Sequence, residues 1–339
     1  REIYERAGIE VIVRRHPLHE VFELPEYNRA IEDFSGWMKA GGFQLIYGNT
    51  LQTFYAIDAA RHGKLPSLWN VRESEPWQTY FNYLLSPLIP EALACFGLPY
   101  RVMFVSHASR QTFEPLNASG NFCVTHDGLD TRRVDEARAE WPRQNARNVL
   151  HLNENEVMVL LLGTVCERKG QKDLVQAMTV LEDNVIERVR LFIVGDRPSL
   201  YSSEMRKMVS GLPKNRAVKI SIIPETQETA TYYSAADIFV CSSRIESYPR
   251  VILEAMAYGL PIVSTPIFGI IEQIRDGING EFYKPGDTAE LASKLSRLVL
   301  DREKRQRYQA NARPVLESLT SFDEMINSYA EIFRESVSV

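Results

Sequence analysis

Ser242-Ser243-Arg244-Ile245-Glu246-Ser247-Tyr248-Pro249-Arg250-Val251-Ile252-Leu253-Glu254-Ala255-Met256-Ala257-Tyr258-Gly259-Leu260-Pro261 reads as a loop followed by a helix, directly after the apolar strand-like run at 238–241. Pro249 suits the first position of a helix, where a missing N–H costs nothing. Gly259 suits the residue just past the helix end, and Pro261 blocks continuation. The free N–H groups at such a helix start point to the carboxyl ends of the strands and favour phosphate, through unpaired donors and the helix dipole. Glu246 lies just before the helix and Glu254 in its second turn. Carboxylates only accept hydrogen bonds, so each suits a vicinal diol of a sugar or ribose rather than a phosphate. One phosphate position flanked by two diol-binding carboxylates describes a sugar-nucleotide site. Two solvated glutamates on a surface helix would give the same spacing; the strand–loop–helix context favours the site.

Outward from this stretch, strand-like runs alternate with helix-like ones. Before it, strands are expected at 8–13, 43–47, 68–71, 102–106 and 122–125, with a helix ending near Ala60 and a long helical region over 77–94. The rhythm restarts with a nearly all-apolar run at 157–163, as expected of a buried central strand. Helical spacing follows at 171–181, then strands at 189–195, 218–223, 238–241 and 261–264, with helices at 229–236, 249–258, 289–299 and 322–333. This β-then-α order predicts an α/β architecture of parallel sheets covered by helices on both faces. Two such units join in the polar stretch 141–153, giving domains at 1–148 and 149–320 and a terminal helical segment at 321–339.

A second loop invites phosphate. Gly163-Thr164-Val165-Cys166-Glu167-Arg168-Lys169-Gly170 follows a buried strand and precedes a helix. Gly163 permits close approach of the backbone, and Arg168 and Lys169 could neutralise a departing diphosphate without metal. A solvated basic turn is the plainer alternative.

These segments together resemble the family 4 retaining glycosyltransferases (glycosyl transferases group 1), whose signature is E-x7-E. Tyr233-Ser234-Ala235-Ala236-Asp237 upstream, Pro261-Ile262-Val263-Ser264-Thr265 downstream, Glu272, and the turn Asp276-Gly277-Ile278-Asn279-Gly280 fit the same pattern, and the likeness is strongest over 157–300. The resemblance implies a GT-B fold: two Rossmann-like doubly wound parallel-sheet domains facing across a cleft. The first would take the acceptor and the second the nucleotide sugar, with the last helix returning to the first domain. By resemblance Glu246 holds donor-sugar hydroxyls and Glu254 the ribose. Ser247, Tyr248, Pro249, Arg250 and Val251 count as donor-binding, the backbone over 247–250 meeting the diphosphate. Gly163 and Thr164 belong to a loop similar to the family's G-R-L-x-x-x-K-G, with Lys169 at the Lys position and Thr164 where Arg is common. Gly195-Asp196 resembles a family turn whose role is structural, and nucleotide-base contacts are implied near 225–231. Arg72, after the strand at 68–71, stands where many members carry a His; it cannot act as a base at neutral pH but can stabilise phosphate. His107 is a further candidate near the reacting groups. The segment from Tyr4 to Val13 resembles the end of a first helix and a second strand, so the family's first β-loop-α unit is expected to lie outside this chain.

The implied reaction moves a sugar from a nucleotide-diphosphate sugar to an acceptor hydroxyl with retention of anomeric configuration, in polysaccharide or glycoconjugate synthesis. The acceptor is a glycan, a lipid-linked molecule or a protein. No Asp-x-Asp motif stands between apolar strands, so no metal and no cofactor are expected. The alternatives are a non-catalytic sugar-nucleotide-binding module or a nucleotide-sugar epimerase on the same fold. A net charge of −5 over 339 residues argues against nucleic acid as a partner. A local basic patch leaves peripheral membrane contact open. No apolar run approaches the ~20 residues needed to span a bilayer. Four cysteines without a CxxC pair indicate neither a zinc site nor a disulfide framework. They suit the reducing cytoplasm, including the inner face of the membrane.

Overall fold

A computed structural model describes all residues except Arg1, Arg15, Pro17, His19, Glu20, Phe22 and Val339; for Glu2 and Ile3 it describes the backbone alone. The chain packs as two compact units. One comprises Arg1–Met103, Thr112–Cys123 and Glu331–Val339; the other comprises Phe104–Gln111 and Val124–Ala330. Residues 124–148, read from the sequence as part of the first domain, therefore pack with the second unit.

The first unit is built on strands β1 (Ile46–Asn49), β2 (Ser67–Val71), β3 (Arg101–Phe104) and β4 (Phe122–Val124), in that spatial order. β1 and β2 run parallel, with Ile46 opposite Ser67. Every residue of β2 is buried. Helices Leu24–Ala40 and Phe54–Gly63 pack together, joined by the Tyr27 hydroxyl donating to buried Asp58 at 2.9 Å. Tyr27, Ile31, Phe54, Trp69 and Phe96 form the core. The last turns of helix Phe322–Val337 also belong here, with Phe333 against Tyr47 and Glu335 accepting from Tyr100.

Three expectations for this half change. Residues 8–13 form no strand, and Ile9, Ile12 and Val13 are exposed. A strand exists only where a neighbouring edge accepts its hydrogen bonds, and among the described residues none does so here. The helical region over 77–94 is broken into short pieces, Trp77–Tyr80, Phe81–Tyr83, Ser86–Leu88 and Ile89–Ala94. Pro87 and Pro90 each lack an N–H for a preceding helix and occupy the first positions of the next. The strand expected at 43–47 begins at Ile46, while Phe43 packs its ring against Trp37.

The second unit holds six parallel strands: β5 (Val157–Leu162), β6 (Val189–Asp196), β7 (Ile220–Pro224), β8 (Ile238–Cys241), β9 (Ile262–Ser264) and β10 (Gly280–Phe282). Their spatial order is β10-β9-β8-β5-β6-β7. Strand side chains alternate between faces. Met158, Leu160, Phe192, Val194 and Phe239 enter one core with helices Thr229–Ala235 and Arg250–Ala257. Val157, Val159, Leu161, Leu191 and Val240 enter the other with Gln171–Val180 and Thr288–Leu300. Burial on both faces explains why β5 is apolar at all six positions. The chain lays down β5, β6 and β7 in one direction, then returns to place β8, β9 and β10 on the other side. The order reverses between β5 and β8. In open α/β sheets ligands bind at such a switch point, outside the carboxyl ends of the strands.

Candidate functional site

The two loops singled out in the sequence are those that leave β5 and β8, side by side at the switch point. Three hydrogen bonds fasten them: Arg244 N–H to the Arg168 carbonyl at 2.7 Å, Ile245 N–H to the same oxygen at 3.4 Å, and the Ser242 hydroxyl to the Lys169 carbonyl at 2.9 Å. Gly170 makes the close approach feasible. Its φ is +66°, and a Cβ there would stand 2.2 Å from the Ser242 carbonyl oxygen.

This fastening brings Lys169 and Glu246 together. The Lys169 ammonium donates to Glu246, Arg168 lies 3.5 Å from the same carboxylate, and the Ser243 hydroxyl donates to it at 3.4 Å. Lys169 and Glu246 are both mostly buried, whereas half of the Arg168 side chain is exposed. Thr164 is exposed, and its carbonyl accepts from the Gln171 side chain. Arg244, which sequence reasoning passed over, pairs with buried Asp173 at 2.7 Å from the same loop cluster.

Helix Arg250–Ala257 starts directly after Pro249, one residue later than the sequence suggests. Ser247, Tyr248 and Pro249 are buried, while Arg250 is exposed and Val251 partly buried. Glu254 accepts from the Tyr233 hydroxyl at 3.0 Å and lies 3.3 Å from Arg250. Burial pushes the Glu254 carboxyl above its ordinary range, against the opposing pull of Tyr233 and Arg250. Tyr233 is fully buried, and burial followed by the Glu254 charge drives its hydroxyl far up, so it stays a donor.

His107 opens helix His107–Phe113. Its backbone N–H and that of Ala108 donate to Glu272 at 3.1 and 2.8 Å, and His126 lies 2.9 Å from the same carboxylate. Burial works against the charge of Glu272, but the His126 bond and the Ala108 and His107 N–H groups hold it below the usual carboxylate range. The His126 ring packs against Tyr248, 5.2 Å between centroids. His126 was not legible as a site neighbour: it lies 146 residues from Glu272. His107, His126 and Glu272 each bring one possible metal ligand atom within 4.8 Å of the others. Arg72 belongs to the first unit, just past β2; its N–H donates at 2.9 Å to Glu73, which also takes the Leu51 N–H.

At the end of β6, Asp196 accepts from Ser202 at 2.5 Å and pairs with Arg206, bonds that anchor helix Leu200–Ser210. After β7, exposed Glu225 meets Arg197 in a two-pronged pair at 2.5 and 2.6 Å. Among the described residues no helix is long and apolar enough to cross a membrane.

The chain is 31% identical over 152 residues to a sulfoquinovosyl transferase of Arabidopsis thaliana, covering 44% of the chain and 28% of that relative. It is 27% identical over 228 residues to a D-inositol 3-phosphate glycosyltransferase of Salinispora arenicola, covering 63% and 50%. The chain thus spans half or less of these relatives' lengths. Among solved structures, the Anabaena protein Alr3699/HepE in complex with UDP-glucose superposes with a TM-score of 0.78 at 20% identity, covering 98% of this chain and 88% of that one. Sucrose-phosphate synthase from Thermosynechococcus elongatus gives 0.76 at 18%, covering 95% and 84%. At such identities these structures speak for the fold alone, which is GT-B. The family described as "Glycosyl transferases group 1" matches residues 142–315, just over half of the chain and all six strands of the second sheet, and the chain belongs to that family.

Proposed function

We propose that the second unit binds a nucleotide-diphosphate sugar at the β5/β8 switch point, and that the protein transfers the sugar to an acceptor hydroxyl with retention of configuration. The observation that carries this reading is the meeting of Lys169, Arg168 and Glu246 at the carboxyl ends of β5 and β8. The diphosphate lies against the backbone N–H groups that begin helix Arg250–Ala257 and over the loop from Gly163 and Thr164. Its oxygens take Lys169 and Arg168 from Glu246. The released carboxylate then accepts from hydroxyls of the donor sugar. Glu254 accepts from the ribose diol. Developing charge on the leaving diphosphate is met by Lys169, Arg168 and the helix start, so no metal is required. His107, also of the second unit, acts on the reacting hydroxyls, and the departing diphosphate takes the acceptor's proton.

The acceptor is a glycan, a lipid-linked molecule or a protein, reached in the cytoplasm or at the inner face of its membrane. The Anabaena protein's complex with UDP-glucose makes UDP-sugars the first donors to try. Thermal-shift titration with UDP-, GDP- and ADP-sugars tests the reading, because a ligand of the native state raises the melting temperature by mass action. One sugar nucleotide should raise it in the wild type and leave Glu254→Ala unmoved; an equal shift in the variant removes the ribose assignment. Release of free nucleotide diphosphate together with a new glycoside separates transfer from binding alone and from epimerisation.

A further inference from the structure

The opposite end of the second sheet carries a groove that the donor reading does not use. Its volume is about 940 Å³, and its walls include Val157 at the start of β5, Asp237 just before β8 and Leu260 just before β9. These are the amino ends of strands whose carboxyl ends carry the candidate donor loops. At ~3.3 Å per residue, the six residues of β5 put about 20 Å between the two ends.

Six arginines line the groove: Arg138, Arg143, Arg188, Arg302, Arg305 and Arg313. The carboxylates on its walls are Glu154, Glu156 and Asp237, and two of these are committed. Asp237 is bound by Arg143 at 2.6 Å and by buried Arg147 at 3.1 Å. Glu156 faces Arg190 and Lys219 at 3.7 and 3.6 Å, neither of which lines the groove.

Helix carbonyl ends gather at this end of a doubly wound sheet, and arginines that cap them need no ligand. That accounts for Arg143, which donates to the carbonyls of Ser234, Ala235 and Ala236, and for Arg305, which donates to those of Leu298 and Val299. Arg313 is matched by Asp135 and Glu317. It does not account for Arg138, Arg188 and Arg302, which form no ion pair with a carboxylate among the described residues. Burial lowers Arg305 below the ordinary arginine range, and the Arg302 and Arg143 charges add to this against partial relief from Asp237 and Asp301. The groove therefore holds more cation than its own carboxylates balance. Asn155, Gln306 and Gln309 add amide groups to the same walls.

We propose that this groove is a second anion site, which takes a compact ligand bearing several phosphate groups. Guanidinium forks bind phosphate through paired N–H donors, and the volume lies within the range of ligand pockets. None of the groove's arginines is a proposed donor-binding residue; Tyr233, which also lines it, donates its hydroxyl to Glu254.

Calorimetric titration of the full chain with inorganic tripolyphosphate, in the presence of excess UDP, tests it. Binding should persist under UDP and weaken at least tenfold in Arg188→Glu/Arg302→Glu. The neutral Arg138→Gln/Arg188→Gln/Arg302→Gln variant should behave alike, which guards against a folding defect, with melting curves as the check. Phosphatidylcholine vesicles doped with phosphatidic acid form a second arm. Sedimentation with them that the same variants abolish would assign the phosphates to a lipid headgroup; tripolyphosphate binding alone assigns them to a soluble ligand. Binding in both arms that is unchanged in both variants, or the absence of binding in both arms, overturns the proposal.

Discussion

Glu254 and Glu272 are two half-buried carboxylates whose titration is displaced in opposite directions, so their contributions to stability run oppositely with pH. Burial foremost raises Glu254. A raised carboxyl favours the fold most below the ordinary glutamate value of ~4.3, and that contribution is lost as pH rises through the raised value. Accepting from a diol requires the ionised form. Donor affinity should therefore fall as pH descends through the raised value, and this acid limb should vanish in Glu254→Gln; affinity measured against pH decides it, and an identical limb in the variant refutes the assignment. Glu272 is held low by His126 and two backbone N–H groups despite its burial. Its stabilisation is present above ~4.3 and lost as pH falls through the lowered value. Hydrogen bonds to a charged group are worth about 1.5–3 kcal/mol, so Glu272→Gln should lower stability near neutrality by that order. The gap to wild type should close in strong acid, as read from melting temperature against pH.

Between elements, the β5 and β8 loops hold each other through backbone contacts that leave little room. Gly170→Ala combines a positive φ with a Cβ 2.2 Å from the Ser242 carbonyl, so the loops must part. We expect donor affinity to drop at least tenfold with a stability loss of about 1–3 kcal/mol, the scale of local backbone strain. Titration and chemical denaturation of the same variant report the two effects. The helix Arg143–Val149 is fixed to the sheet by another device. Buried Arg147 bonds Asp237, whose carboxylate also takes the Met158 N–H at 2.8 Å. Arg147→Ala leaves Asp237 paired with the half-exposed Arg143 alone and strips the carbonyls of Ala235, Asn153 and Glu156 of a donor, and an unsatisfied buried polar group costs about 1–3 kcal/mol. Arg147→Ala should lose stability of that order in urea, well beyond the effect of Arg132→Ala on the exposed start of helix Thr131–Glu140. The helix ends near Pro249 and Gly259 were legible because a missing N–H and a tolerated left-handed φ act locally. Helix Arg302–Glu317 was not read: its sequence is strongly polar and carries Pro314, and its place comes from Tyr308, Ala312 and Leu316 reaching the core.

At the scale of the molecule, every proposed donor-binding position lies in the second unit, and Arg72 alone among the site residues lies in the first. Hydrogen-exchange protection by a bound sugar nucleotide should therefore concentrate at 163–171 and 242–254. Protection concentrated at β1 and β2 instead would contradict the placement of the donor. The sequence by itself determined the α/β alternation, the two loops with their charges, and the helix that begins beyond Pro249. These follow from side-chain period, backbone N–H supply and the residues that turns require, all of which act within a few positions. Only the tertiary structure decided the order β10-β9-β8-β5-β6-β7, the ion pair of Lys169 with Glu246 across 77 residues, the hold of Glu272 on His126, and the failure of 8–13 to become a strand. Strand pairing and ion pairing need a partner, and the partner's position is set by packing of the whole core rather than by the local chain.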